Sequence, residues 1–166
     1  MTIDTKVYII ALKFFDKGER MSDIVIACPH CKSLNKLPKK DEYKKAVCGV
    51  CKGNLLDNKP ISLDNYDEFQ KIVNSVTVPV IIDFWAQWCG PCQMFAPIFA
   101  KTAHEFPLKA QFVKVDTDKN QQAAMQFGIR SIPTIVALKD GVEIDRAMGA
   151  LDEFSFTMWV DKLIEN

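Results

Sequence analysis

The sequence predicts an α/β protein, a mixed β-sheet with helices on both faces, preceded by a small module built around four cysteines. Three observations carry that prediction. From Pro60 onward, stretches with strand character alternate with stretches of helical period, and the chain closes with a hairpin and a helix. Residues 22–58 differ in composition: they hold four of the six cysteines, several lysines, and few large apolar residues beyond Leu34, Leu37, Leu55 and Leu56. The remaining two cysteines, Cys89 and Cys92, fall where an apolar strand gives way to a helix. The chain is therefore divided into an N-terminal extension (1–21) expected to be poorly ordered, a cysteine module (22–58) and an α/β domain (59–166).

Each element of that domain has its own signal. Asp64 is placed to cap a helix reaching about Asn74, with Phe69, Ile72 and Val73 on one face. Val78–Trp85 is a nearly continuous apolar, β-branched run, the pattern of a strand buried on both faces, and Asp83 is its only charge. A helix follows Cys89-Gly90-Pro91-Cys92 and reaches about Glu105, with Pro97 expected to bend it. Gln111–Asp116 reads as a strand and Gln121–Phe127 as a helix stopped by Gly128. Pro133–Leu138 and Val142–Met148 read as strands around the turn Lys139-Asp140-Gly141. Asp152–Ile164 is an amphipathic helix carrying Phe156, Trp159, Val160 and Leu163.

Composition limits the functions available. Lys plus Arg and Asp plus Glu number 21 each, so no net field steers the chain toward nucleic acid or membrane. Nowhere do about 18 apolar residues run together, so no membrane span is expected. Val7–Leu12 behind Lys6 faintly resembles a signal peptide. That run is short, Lys13 follows it, and no Ala-x-Ala site precedes Arg20, so residues 1–20 read as an extension ahead of Met21. Six cysteines would allow three disulfides in a secreted protein, but Cys-x-x-Cys spacing is more typical of metal knuckles and redox motifs. Metal-binding thiolates persist best in a reducing compartment, so the cytoplasm is the expected location.

At the 89–92 pair, the free N–H groups and dipole of a helix start favour a thiolate over a thiol. Lowering a cysteine pKa from about 8.5 to about 7 raises the thiolate fraction at pH 7 roughly sixteenfold. Nucleophilicity falls about fivefold over that shift, so the larger benefit arises when the same sulfur departs as leaving group. This balance suits reversible dithiol exchange. Cys92 lies one turn on, within reach of a mixed disulfide at Cys89. Pro91 fits the first helical turn, where a missing N–H costs nothing. Trp88 and Pro91 would leave a flat apolar rim. A buried Asp83 would have a raised pKa and so accept and return a proton near neutrality, unless backbone groups merely cap it.

DFWAQWCGPC at 83–92, then Met94–Pro97, FVKVDTD at 112–118, FGIRSIPT at 127–134 and the late Gly149 closely resemble a thioredoxin, over about residues 60–166. The resemblance implies the thioredoxin fold and an enzyme that reduces disulfides in other proteins through a redox-active Cys89–Cys92 disulfide. It implies a cis peptide at Ile132-Pro133, a docking surface of Trp88, Gly90, Pro91, Ile132, Pro133 and Gly149, and Lys114 close to Asp83. A lowered thiol pKa and a reducing potential are tendencies of that family. It further implies re-reduction by a flavin-dependent thioredoxin reductase using NADPH. No Gly-rich dinucleotide fingerprint occurs here, so those cofactors would belong to the partner, and no bound organic cofactor is expected. Gln87 departs from the acidic residue or proline common in the family, which bears on partner preference.

Cys28-x2-Cys31, sixteen residues, then Cys48-x2-Cys51 matches four-cysteine zinc spacing. Four thiolates complete a tetrahedral shell and leave no place for water, so the expected role of zinc is structural. Such binding can contribute about 10–16 kcal/mol, which would supply what so small a segment lacks in core. Gly49 and Gly53 are expected to give the knuckles their turn freedom. His30 as a substitute ligand, and two disulfides in place of the metal (with a redox-sensing role), remain open alternatives. The lysines of the module read as a solvated face, because Tyr43 is its only aromatic and offers no stacking platform for nucleic acid. A four-cysteine module joined to such a domain resembles the zinc-binding second type of bacterial thioredoxin over residues 22–166. The expectation is thus a monomeric protein-disulfide reductase with a structural zinc. Its rivals are a zinc-dependent binding or chaperone module, and an exported oxidant or isomerase on the same fold.

Overall fold

The computed structural model describes residues 22–165; the readings made on residues 1–21 lie outside them. Strands β1 (Ile24–Ala27) and β2 (Leu34–Leu37) form a two-stranded antiparallel sheet with Ile24 opposite Leu37. A 3₁₀ turn at Leu55–Asp57 leads into β3 (Ile61–Ser62), α1 (Tyr66–Ser75), β4 (Val80–Trp85) and α2 (Gly90–Glu105). Then follow β5 (Gln111–Asp116), α3 (Gln121–Gln126), β6 (Thr134–Lys139), β7 (Val142–Met148) and α4 (Glu153–Glu165). The second sheet has the order β3-β5-β4-β6-β7, with β3 and β4 parallel to β5 and with β6 antiparallel to both β4 and β7.

Strand β4 sits between two neighbours and is buried over Val80–Phe84, which is why its sequence is a continuous apolar run rather than an alternating one. Alternate residues of β4 serve different faces. Val80, Ile82 and Phe84 join Phe69, Ile72, Val113, Val136 and Leu138 on one side. Ile81 joins Phe95, Phe99, Phe112, Ile135, Phe156 and Val160 on the other, beneath α2 and α4. There Phe99 meets Phe95, Phe112 and Phe156 at ring-centroid distances of 5.3–5.9 Å. Ile24, Ile26, Ala27, Ala46 and Leu55 of the cysteine-rich segment belong to the first cluster, packed in continuity with α1.

Some boundaries differ from the sequence reading for clear reasons. The cap of α1 is Asn65, whose side chain accepts from the Glu68 N–H at 3.0 Å, while Asp64 faces outward to Lys119 Nζ at 3.2 Å. Strands β1, β2 and β3 were not anticipated: they are two to four residues long, too short for a period to register. Gly128 ends α3 with φ 59°, and the β6–β7 turn has Asp140 and Gly141 at φ 51° and 77°, the double positive value of a tight hairpin. Among the described residues no helix is long and apolar enough to cross a membrane.

Candidate functional site

Cys89 is the N-cap of α2: its backbone is extended (φ −85°, ψ 108°) and its Sγ accepts from the Cys92 N–H at 3.3 Å. A sulfur there replaces the usual capping oxygen, and at an ionised sulfur that N–H would hold negative charge. Cys89 and Cys92 are joined as a disulfide. Cys92 is fully buried, and Cys89 is 5% exposed, so Cys89 is the more accessible of the two. Gly90 and Pro91 are exposed in the first turn. Trp88 is 72% exposed, yet held in place by its indole N–H donating to Asp118 Oδ2 at 2.9 Å. The Ile132 carbonyl oxygen lies 3.8 Å from Cys89 Sγ, and Ile132-Pro133 is cis. Exposed Gly149 (φ 85°) donates its N–H to the Pro133 carbonyl at 2.8 Å. The residues expected to form the rim thus lie in the first turn of α2 and on the neighbouring loops.

Asp83 is fully buried on the α2 side of β4. Its Oδ2 accepts from Lys114 Nζ at 2.8 Å, and its Oδ1 has no hydrogen-bond partner among the described residues. Burial pushes the Asp83 carboxyl above the ordinary carboxylate range, against the opposing pull of Lys114. Lys114 stands across from Asp83 on β5 and packs over the rings of Trp85 and Phe99 at 4.7 and 5.7 Å.

The sulfurs of Cys28, Cys31, Cys48 and Cys51 all lie within 4.8 Å of one another, with Cys28–Cys51 and Cys31–Cys48 at 3.7 Å. A tetrahedral ion bound by sulfur at about 2.3 Å sets its ligands about 3.8 Å apart, so the four fit one metal. They are too far apart for either pair to be a disulfide. Backbone N–H groups of His30, Val50 and Gly53 point at Cys28, Cys48 and Cys51, each at 3.4 Å. Asn35 is a further support: it donates to Cys48 Sγ at 3.5 Å and accepts from the Gly49 N–H at 2.9 Å. Burial pushes the Cys28 thiol up to about 12. Burial also acts against ionisation of Cys48, but the N–H groups of Cys51 and Val50 and the Asn35 amide bring it down to about 6. Hydrogen bonding to Ser33 lowers Cys31. The surroundings thus favour thiolate at Cys31 and Cys48 and oppose it at Cys28.

The sequence reading missed Asn35, Asp118 and the partners of His30. Asn35 had one signal, a polar residue inside the short apolar strand Leu34–Leu37. The His30 ring contacts Asp57 Oδ2 at 2.9 Å and the Asn54 carbonyl at 3.2 Å, so its Nε2 is engaged outside the four-sulfur cluster. Turn freedom also lies elsewhere than expected: the positive φ values fall on Lys32 and Lys52, both 63°, and not on Gly49 or Gly53. Gly53 is needed for space, since a Cβ there would stand 2.6 Å from the His30 ring and 3.2 Å from Cys51 Sγ. His104 is exposed near the end of α2, as expected of a surface residue.

The sequence profile of the thioredoxin family matches residues 60–162. Thioredoxin C-3 of Corynebacterium nephridii is 37% identical over 142 residues, 86% of this chain and 97% of that protein. A match of that length in a chain of 166 includes the cysteine-rich segment as well as the α/β domain. Thioredoxin 1 of a Nostoc species is 44% identical over 94 residues, covering 57% of this chain and 88% of that one. Among solved structures, the thioredoxin of Malassezia sympodialis superposes with a TM-score of 0.60 at 37% identity, over 64% of this chain and 92% of that one. The chain belongs to the thioredoxin family and is a protein thiol–disulfide oxidoreductase.

Proposed function

We propose that the chain is a general disulfide reductase working through Cys89 and Cys92, with a structural zinc held by Cys28, Cys31, Cys48 and Cys51. The observation that carries the first part is the dithiol at the start of α2, with Cys89 at a rim of exposed groups and Asp83 buried beneath the helix. In the reduced form the Cys89 thiolate attacks one sulfur of a substrate disulfide. That bond breaks, the second substrate sulfur leaves as a thiolate, and it takes up a proton. Cys92, deprotonated through Asp83, then attacks Cys89 Sγ, releasing the first substrate sulfur as a thiol and closing the Cys89–Cys92 disulfide. Two electrons and two protons have passed to the substrate. Lys114 tunes the proton affinity of Asp83, and Trp88, Gly90, Pro91, Ile132, Pro133 and Gly149 receive the substrate chain.

Re-reduction needs an electron donor, for which a flavin-dependent thioredoxin reductase using NADPH fits the family. Four sulfur ligands in tetrahedral reach of one another support zinc over a harder ion. It would hold the fold of the module and leave no open coordination position. A reducing compartment, the cytoplasm, suits both sites, and a monomer suffices for the chemistry. The test is a trap. In Cys92→Ser, the mixed disulfide cannot be resolved, so a protein substrate should accumulate on Cys89 and be released by dithiothreitol. Failure to capture any disulfide-containing protein, with Cys89 alkylated no faster than a free thiol, would reject the reading.

A further inference from the structure

The segment Asn54–Asn58 connects the four-cysteine cluster to the far end of the helix that carries the dithiol. On the cluster side, the His30 ring lies between Cys28 and Cys31 in sequence and reaches this segment at two points, Asp57 Oδ2 (2.9 Å) and the Asn54 carbonyl (3.2 Å). Both partners are acceptors, so Nε2 carries the proton. The segment is fixed within itself: Asn54 accepts from the Leu56 N–H at 3.0 Å, its amide donates to Asp57 Oδ1 at 3.0 Å, and the Leu55 side chain is 1% exposed. On the helix side, Asn58 is 6% exposed and left-handed at φ 39°, ψ 46°. Its amide donates to two carbonyls, Ala103 at 2.5 Å and Phe106 at 2.9 Å.

Those carbonyls lie at the end of α2 and each also accepts a backbone N–H, Ala103 from Phe106 at 3.2 Å and Phe106 from Lys109 at 3.1 Å, so the Asn58 amide is a second donor to each. No glycine closes α2; Phe106 and Pro107 follow Glu105, and the further donors to this end arrive from a residue 45 and 48 positions upstream of the two carbonyls. The same helix begins at Cys89 and carries Phe95 and Phe99 into the core between those ends.

We propose that Asn58 is a positioning residue for the dithiol helix and that its hold depends on a metal at the four-cysteine cluster, an inference that rests on the zinc reading above. Ligation fixes the Cys28–Cys31 knuckle, the knuckle holds His30 against Asn54 and Asp57, and that turn places the Asn58 amide under Ala103 and Phe106. Loss of the ion frees the knuckle, and the end of α2 loses both Asn58 hydrogen bonds at once, keeping only its backbone donors.

The test uses the full chain, with zinc content measured on every sample and amide hydrogen exchange read over residues 103–110. Asn58→Gly keeps the left-handed backbone without penalty and removes only the amide. It should speed exchange in that stretch about tenfold. Chelation of the wild type should give the same acceleration, and chelation of Asn58→Gly should add nothing further. In both cases the Cys89–Cys92 dithiol–disulfide equilibrium in a glutathione buffer should move in the same direction, by about twofold. The proposal fails if chelation removes zinc and leaves residues 103–110 as protected as before. It also fails if chelation accelerates the variant as much as the wild type, or if the redox equilibrium stays put. If the chain takes up no zinc at all, the metal reading falls by itself. The Asn58→Gly arm then decides the helix cap alone, and unchanged exchange would remove Asn58 from the role.

Discussion

Cys89 and Cys48 both open a Cys-x-x-Cys stretch, and the sulfur of each accepts a backbone N–H from within that stretch. The chain then takes different paths. After Cys89 it continues as a helix of 16 residues, so the second sulfur lies one turn up, close to the first and buried with it. After Cys48 it doubles back: Lys52 adopts φ 63° and donates to the Cys48 carbonyl at 3.1 Å, while Cys48 N–H donates to the Gly53 carbonyl at 2.9 Å. Cys51 is left on the outside, facing a second knuckle of the same form. Helix propagation makes a pair that can bond to itself, and a closed turn makes half a shell that needs another half. Spacing alone does not choose between exchange chemistry and ligation; the residues after the first cysteine do.

The sharpest test of this contrast removes one sulfur from each site. Cys89→Ser should lower protein-disulfide reduction about a thousandfold or more while the metal content stays near one per chain. Cys48→Ser should do the reverse, removing the metal and the exchange protection of β1 and β2 but leaving the dithiol active. Elemental analysis beside an insulin-reduction assay reads both. Parallel losses in the two variants would mean that the sites are not separable.

A smaller effect distinguishes the glycines of the two sites. Gly53→Ala would drive a methyl to 2.6 Å from the His30 ring, so the ring must leave Asp57 and Asn54. The expected cost is about 2 kcal/mol, with weaker metal retention, seen as an earlier denaturant midpoint and faster loss to a chelator. Gly90→Ala meets nothing within 4 Å. Its stability should hold or rise slightly, since alanine favours the helix by up to about 1 kcal/mol. The penalty should appear in KM for a protein substrate, because the new methyl stands at the rim beside Cys89. Equal destabilisation of the two variants would contradict the crowding seen at one site and the openness at the other.

How far the sequence revealed all this follows from what each element depends on. Helix α2 and strand β4 were legible because period and punctuation agree there: a nearly continuous apolar, β-branched run, then Gly-Pro inside the first turn. Long-range contacts were not. The Asn58 amide finds its carbonyls 45 and 48 residues away, and Trp88 finds Asp118 across 30 residues. Nothing local marks either pair. The cysteine module was read as poor in apolar residues, yet Ile24 and Ile26 are buried against α1. Four residues of strand carry too little pattern to reveal that they complete a neighbour's core. Asp83 was the easiest polar residue to single out, since one charge in a buried strand stands alone.

That charge supplies the smallest effect, and one with a definite sign. Burial raises the Asp83 pKa above the unfolded value of about 3.9, so the folded state favours the protonated form. Its contribution to stability is therefore full below the unfolded pKa and is lost as pH rises through the folded one. Asp83→Asn has no such titration, and its amide oxygen can still accept from Lys114. The variant should match the wild type in stability near pH 4, exceed it increasingly as the pH rises from the unfolded to the folded pKa, and keep a constant advantage of about 1 kcal/mol above that. For a chain of this size that is a Tm gain of about 2–4 °C. Denaturant curves from pH 4 to 9 would decide. If the difference between the two proteins were the same at every pH, the carboxyl would be titrating as it does in the unfolded chain. The contrast between the dithiol site and the four-cysteine cluster would then have to rest on the sulfurs alone.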